Sequence, residues 1–172
     1  MPGNKISTHL SYFGTGGDRY NLAGYKAAVS PIERLYQVAQ VRGLDGVELN
    51  YPALVNEDNV DAVQAALAET GLAVSNVSLN VWGATQWGMG SLSSPDPAVR
   101  AEAIETMVRG MRVARAVGSP LVSLWPGQDG FDYPFQVDYG AAMDWFIDGL
   151  RQAAASDPGM RICLEYKQKE PR

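Results

Sequence analysis

Short apolar runs alternate with amphipathic helical stretches along this chain, and that alternation predicts an α/β protein built from βαβ units around a parallel sheet. Two further observations agree. The loops after the first and third runs are long, the first rich in Gly, Asp and aromatic residues and the second containing Gln86-Trp87-Gly88-Met89-Gly90, and the 172-residue length suits one compact domain. Five strands are expected, at Lys5 to Tyr12, Gly46 to Asn50, Ala73 to Trp82, Leu121 to Trp125 and Arg161 to Lys167.

Four helices separate them. The first opens with Ser30-Pro31-Ile32-Glu33, which joins an N-cap serine, proline at the first helical position and a glutamate able to close a capping box. Its apolar stripe is Ile32, Leu35, Tyr36 and Ala39, and Gly43 supplies a left-handed residue to end it. The second runs from about Asn59 to Gly71. The third starts at Asp96-Pro97, carries Ile104, Met107, Val108 and Met111 on one face and stops at Gly118. The fourth carries Met143, Phe146, Ile147 and Leu150 in the same register and ends near Pro158-Gly159. Methionines on such stripes read as core filler.

Bulk composition narrows the function classes. Hydrophobic residues make up 46% and charged residues 19%, as in ordinary globular proteins. The formal net charge of −5 disfavours a nucleic-acid partner. No apolar run approaches the ~20 residues of a membrane span, so a cytoplasmic protein with no membrane partner is expected. The lone cysteine, Cys163, sits in an apolar run and reads as a buried, inert thiol.

Thr15 to Val29 and Gly83 to Pro95 leave the carboxyl ends of parallel strands, where α/β proteins place their ligands. Gly14-Thr15-Gly16-Gly17 is a weak phosphate signal, because no helix opens behind it and no lysine sits at the Walker position. The chemistry concentrates at Leu164-Glu165-Tyr166-Lys167-Gln168-Lys169-Glu170-Pro171-Arg172. Glu165 and Lys167 are two apart and so share one face of a strand. Such a carboxylate and ammonium could hold a divalent metal and polarise a substrate oxygen, or form a structural ion pair; spacing alone leaves both open.

That segment resembles the E-x-K-P-x-E-P-R motif on the fifth barrel strand of xylose isomerases. Leu124-Trp125-Pro126-Gly127-Gln128-Asp129-Gly130 is similar to the fourth-strand W-G-G-R-E-G of that family, and Ser91-Leu92-Ser93-Ser94-Pro95-Asp96 with Val99-Arg100 resembles its third-loop F-T-S-N-D and the following arginine. Trp125, Asp129-Gly130 and Asp132-Tyr133-Pro134 are also similar to L-rhamnose isomerases and related epimerases. The resemblance implies the amino-terminal half, residues 1–172, of a xylose isomerase-like (β/α)8 TIM barrel, with about the first four βα units and the fifth strand. It implies a divalent-metal-dependent sugar isomerase or epimerase using Mn2+, Mg2+ or Co2+ on a small sugar.

Carried over residue by residue, the resemblance makes Glu165 a catalytic carboxylate and the first metal ligand, and Lys167 the catalytic group at the substrate carbonyl oxygen. Trp82 and Trp125 become apolar walls of the sugar pocket, and Asn80 a two-way hydrogen-bonding amide. Apart from the resemblance, the one histidine, His9, near the end of the first strand, could be an acid/base, a substrate hydrogen-bonding group or a satisfied buried imidazole, and contact with substrate is the favoured expectation. Where xylose isomerases carry a second-strand histidine backed by aspartate, this chain has Asn50-Tyr51-Pro52, and an amide cannot act as a base near neutral pH. Asn50 is therefore assigned to substrate binding, and a related family is favoured over xylose isomerase itself.

A closed barrel needs eight strands and usually ~250 residues. In the resembled families the remaining metal ligands lie on the sixth to eighth strands, so the chain alone is expected to be inactive. It is expected to form a homo-oligomer or to associate with a missing carboxyl-terminal half, since open sheet edges pair. Two other readings stand beside the isomerase. A DNA-repair nuclease similar to endonuclease IV would need zinc-binding histidines where Asn50 and Asn80 lie. A non-catalytic sugar-binding or scaffold fragment would keep the pocket without the metal.

Overall fold

The computed structural model describes residues 4–126, 133 and 135–165. Strands and helices alternate: β1 (Ser7–His9), α1 (Pro31–Ala39), β2 (Gly46–Tyr51), α2 (Val60–Thr70), β3 (Ala73–Leu79), α3 (Pro97–Ala116), β4 (Leu121–Leu124), α4 (Tyr139–Ser156) and β5 (Arg161–Leu164). Two compact units form, the first from Met1–Ser78 with Val113–Pro120, the second from Leu79–Arg112 with Leu121–Arg172.

In the first unit the strands lie in chain order, β1 beside β2 and β2 beside β3. β1 and β2 are parallel, with Ser7, Thr8 and His9 opposite Gly46, Val47 and Glu48. Along β2, Val47, Leu49 and Tyr51 are buried while Glu48 and Asn50 are only half-buried, as the two-residue side-chain period of a strand requires. The apolar set builds the core and leaves the polar set on the opposite face.

α1 begins as expected. The Ser30 side chain accepts from the Glu33 N–H and the Glu33 carboxylate accepts from the Ser30 N–H, with Pro31 at the first helical position. These backbone and hydroxyl bonds from Ser30 hold the Glu33 carboxyl below its ordinary range. The buried face is Leu35 and Val38, rather than the stripe through Tyr36 and Ala39, both of which are exposed. Tyr36 instead donates from its hydroxyl to the Glu69 carboxylate, tying α1 to α2 and raising the Tyr36 pKa. Gly71 ends α2 at φ 70°, its N–H bonding to Leu67 O, a left-handed position that glycine adopts without steric cost.

β1 and β3 each stop three residues earlier than expected, for one reason. After His9 the backbone turns into a 3₁₀ segment, Leu10–Phe13, because the imidazole accepts from the Ser11 N–H. After Leu79 the Asn80 side chain accepts from the Trp82 N–H at 3.0 Å. In both, a side chain competes with the strand ladder for backbone donors. At the other end of β1, the Asp45 carboxylate accepts from the Ile6 N–H and from Lys5 Nζ, each at 3.0 Å. Those two bonds, the backbone one first, lower its pKa from the ordinary 3.8.

In the second unit β4 and β5 are parallel, with Leu121 to Leu124 opposite Arg161 to Leu164. α3 is capped by Asp96, whose carboxylate accepts from the Ala98 N–H, and buries Met107. The expected stripe of α4 is not its core face: Met143 is 58% and Ile147 37% exposed, and Ala142, Gly149 and Ala153 are buried instead. Close approach explains the shift. A Cβ at Gly149 would lie 2.8 Å from Leu92 Cδ2, so the helix seats Gly149 on the buried Leu92. Arg100 adds a second clamp, its guanidinium 4.5 Å from the Trp145 ring centroid.

Cys163 also departs from expectation: it is exposed. Among the described strands β5 has only β4 as a recorded ladder partner, which leaves Cys163 and Leu164 open to solvent. Among the described residues, no helix is long and apolar enough to cross a membrane.

Candidate functional site

The first unit gathers polar side chains at the carboxyl ends of its strands. His9 is the last residue of β1 and faces Glu48 of β2 in register. Its Nε2 stands 4.0 Å from Glu48 Oε1, while Nδ1 accepts from the Ser11 N–H at 3.1 Å and is 2.5 Å from Ser11 Oγ. The Tyr12 ring meets the imidazole edge-on, centroids 6.0 Å apart.

Two residues along β2 from Glu48, Asn50 Nδ2 donates to Ser78 Oγ at 3.2 Å, and Ser78 Oγ in turn reaches Leu49 O at 3.3 Å. Asn50 Oδ1 is buried and, among the described residues, accepts no hydrogen bond. Native structures rarely leave such an acceptor without a donor, so this atom invites a hydroxyl or other donor from outside the chain.

In the second unit the strand ends are aromatic and acidic. Trp82, in the segment after β3, and Trp125, directly after β4, meet edge to face with centroids 4.9 Å apart and planes at 81°. Both are half-buried, so ring surface remains available. Asn80 is half-buried and spends its Oδ1 on the Trp82 N–H, which fixes the backbone that carries that ring. Glu165 lies one residue past the Leu124–Leu164 pair, donates its N–H to Leu124 O at 2.9 Å and exposes its side chain.

Lys167 lies outside the described residues, as do Gly127 to Gly130, Asp132, Pro134 and the rest of the Glu165-to-Arg172 motif. Among the described residues no three His, Cys, Asp or Glu side chains come together. A divalent ion needs several donors, so Glu165 can contribute one carboxylate to such a site and does not form one by itself.

The long loops differ from each other. Thr15 to Val29 is mostly exposed and organised by Asp18, whose carboxylate accepts from the Tyr20 and Asn21 N–H groups and is held below its ordinary range chiefly by the Asn21 bond. The loop from Gly83 to Pro95 folds into the second unit, with Trp87, Ser91, Leu92, Ser93 and Ser94 buried.

Glu48 is the residue the sequence reading passed over. The signal was present: an ionisable residue among Val47, Leu49 and Tyr51, two positions from Asn50, is placed on the polar face by the same spacing that paired Glu165 with Lys167.

Comparison with known proteins agrees with this architecture. The chain is 29% identical over 156 residues to a xylose isomerase of Thermus thermophilus, the match covering 84% of this chain and 40% of that protein. It is 28% identical over 169 residues to a probable sugar isomerase of Rhizobium meliloti, covering 92% of this chain and 39% of that protein. The crystal structure of a D-allulose 3-epimerase from a Methylomonas species, in complex with D-allulose, superposes with a TM-score of 0.68 at 19% identity, over 99% of this chain and 54% of that one. This chain thus spans about two-fifths of the length of the curated relatives it matches. A family model described as xylose isomerase-like TIM barrel matches residues 35–171. The chain belongs to the xylose isomerase-like TIM barrel family.

Proposed function

We propose that this chain supplies the first four βα units and the fifth strand of one barrel that interconverts sugars, as an isomerase or epimerase assisted by Mn2+, Mg2+ or Co2+. One observation carries the reading. At or just past the carboxyl end of each strand in turn stand His9, Asn50, Asn80, Trp125 and Glu165, and barrel enzymes of this architecture hold their active sites at that end. This residue set suits a sugar: amides and an imidazole for hydroxyls, indole rings for C–H faces, a carboxylate for a hard cation.

When bound, the divalent ion would act as a Lewis acid on adjacent sugar oxygens. Glu165 is the residue of this chain assigned to hold it, as one ligand among several. Trp82 and Trp125 exclude water from the sugar's apolar face, and Asn50 and Asn80 orient its hydroxyls. Lys167 is assigned to stabilise negative charge developing on the carbonyl oxygen.

The test uses the protein at the full length its gene encodes. Glu165→Gln keeps shape and removes the charge, so metal-dependent conversion of aldoses and ketoses should fall at least a hundredfold. Undiminished conversion in that variant would remove the metal role of Glu165.

A further inference from the structure

We infer that His9 and Glu48 form a seat for a single sugar hydroxyl, with Ser11 as the positioning residue that sets the polarity of the seat. The inference rests on the sugar reading above and adds to it a binding residue, Glu48, and the chemical character of one contact.

Nδ1 of His9 accepts from the Ser11 N–H, and the neighbouring Ser11 Oγ can donate to the same nitrogen. A neutral imidazole whose Nδ1 accepts carries its proton on Nε2. Nε2 stands 4.0 Å from Glu48 Oε1, which is too long for a direct hydrogen bond. It is the separation at which one oxygen can lie about 2.8 Å from both atoms.

The oxygen that fits must accept from Nε2–H and donate to a carboxylate. A hydroxyl does both, whereas a carbonyl oxygen cannot donate and an ammonium cannot accept. The side chains of His9 and Glu48 are 27% and 34% exposed, so a solute can reach the gap. The exposed Tyr12 ring beside the imidazole offers an apolar surface to the carbon that bears the hydroxyl. The parallel pairing of His9 with Glu48 fixes the spacing from the backbone, so the seat exists before the ligand arrives.

Two readouts test this on the protein at the full length its gene encodes. His9 is the one histidine of residues 1–172, so isotope labelling confined to this segment of the full-length protein gives long-range proton–nitrogen spectra that report its tautomer directly. The Nε2–H form is expected, and the Nδ1–H form would overturn the inference.

The second readout compares a converted sugar with its monodeoxy analogues. In the unsubstituted protein one particular deoxy position should raise KM about tenfold or more, as a charge-assisted hydrogen bond is lost. Glu48→Gln should raise KM for the parent sugar by a similar factor with kcat within about twofold, and should abolish the penalty at that same deoxy position. Glu48→Asp, which withdraws the carboxylate by one methylene, provides the same ratio if the glutamine variant fails to fold. Equal deoxy penalties with and without Glu48, or His9 signals unmoved by a sugar that is converted, would mean that the seat holds only water and would overturn this inference while leaving the sugar reading intact. Failure of every sugar in the panel to bind or be converted would overturn both.

Discussion

The strand ends of the two units carry different kinds of group. In the first unit they carry directional groups, His9, Glu48 and Asn50, of which Asn50 still has an acceptor atom to fill. In the second they carry the Trp82–Trp125 pair, which has area and shape but little direction, followed by the Glu165 carboxylate. Directional groups choose which hydroxyl is read; aromatic surface and charge supply affinity and chemistry. The difference predicts that substitutions in the two units separate in their effects on specificity and on overall binding.

Among substitutions that act on binding, the largest effect belongs to the aromatic region. Trp125→Ala removes the partner of Trp82 and half of the apolar wall, and should weaken sugar binding by roughly 2 kcal/mol, about thirtyfold in KM, for every sugar tested. Trp125→Phe should recover most of it. A loss confined to one sugar would break the comparison, because it would make the tryptophan a directional reader.

Asn50→Leu sharpens the polar side. It deletes a buried acceptor that has no donor among the described residues together with the one bond from Nδ2 to Ser78 Oγ, two opposed effects, so the melting temperature should change little, while binding of the sugar should weaken by about 1 kcal/mol. A purely structural asparagine would show the reverse, lower stability and unchanged binding. Thermal melts and KM measured on the same preparation separate the two outcomes.

The smallest effect concerns the far end of β1, away from both clusters. Asp45 has a lowered folded pKa through its bonds from the Ile6 N–H and Lys5, so its contribution to stability is fully present above its ordinary value of 3.8. That contribution disappears as pH falls through the lowered folded value. Asp45→Asn should therefore reduce stability slightly at pH 6 and progressively less on acidification toward pH 3. A gap between variant and parent that widens on acidification would contradict this sign.

How far the sequence could be read follows from which groups compete for the backbone. The start of α1 was legible because Ser30, Pro31 and Glu33 act locally, and the end of α2 because Gly71 does. The ends of β1 and β3 were not, since His9 and Asn80 turn their side chains onto backbone donors two residues on, and an apolar pattern carries no trace of that choice. The same two residues had been picked out as sugar contacts, so strand termination and candidate function coincide. The buried face of α4 was hidden for another reason: Gly149 owes its burial to the approach of Leu92, a tertiary fact that helical periodicity cannot express. The apolar run around Cys163 predicts burial, yet the residue is exposed, because such a run marks a strand without stating what flanks it.

The central claim is metal-assisted sugar interconversion by a barrel to which this chain contributes its strand ends. Its most direct test is product analysis by the protein at the full length its gene encodes, stripped with a chelator and then resupplied with Mn2+, Mg2+ or Co2+, against a panel of aldoses and ketoses. An isomer or epimer of at least one sugar should form with the metal and not without it. Products formed equally after chelation, or no interconversion of any sugar with any of the three ions, would contradict it.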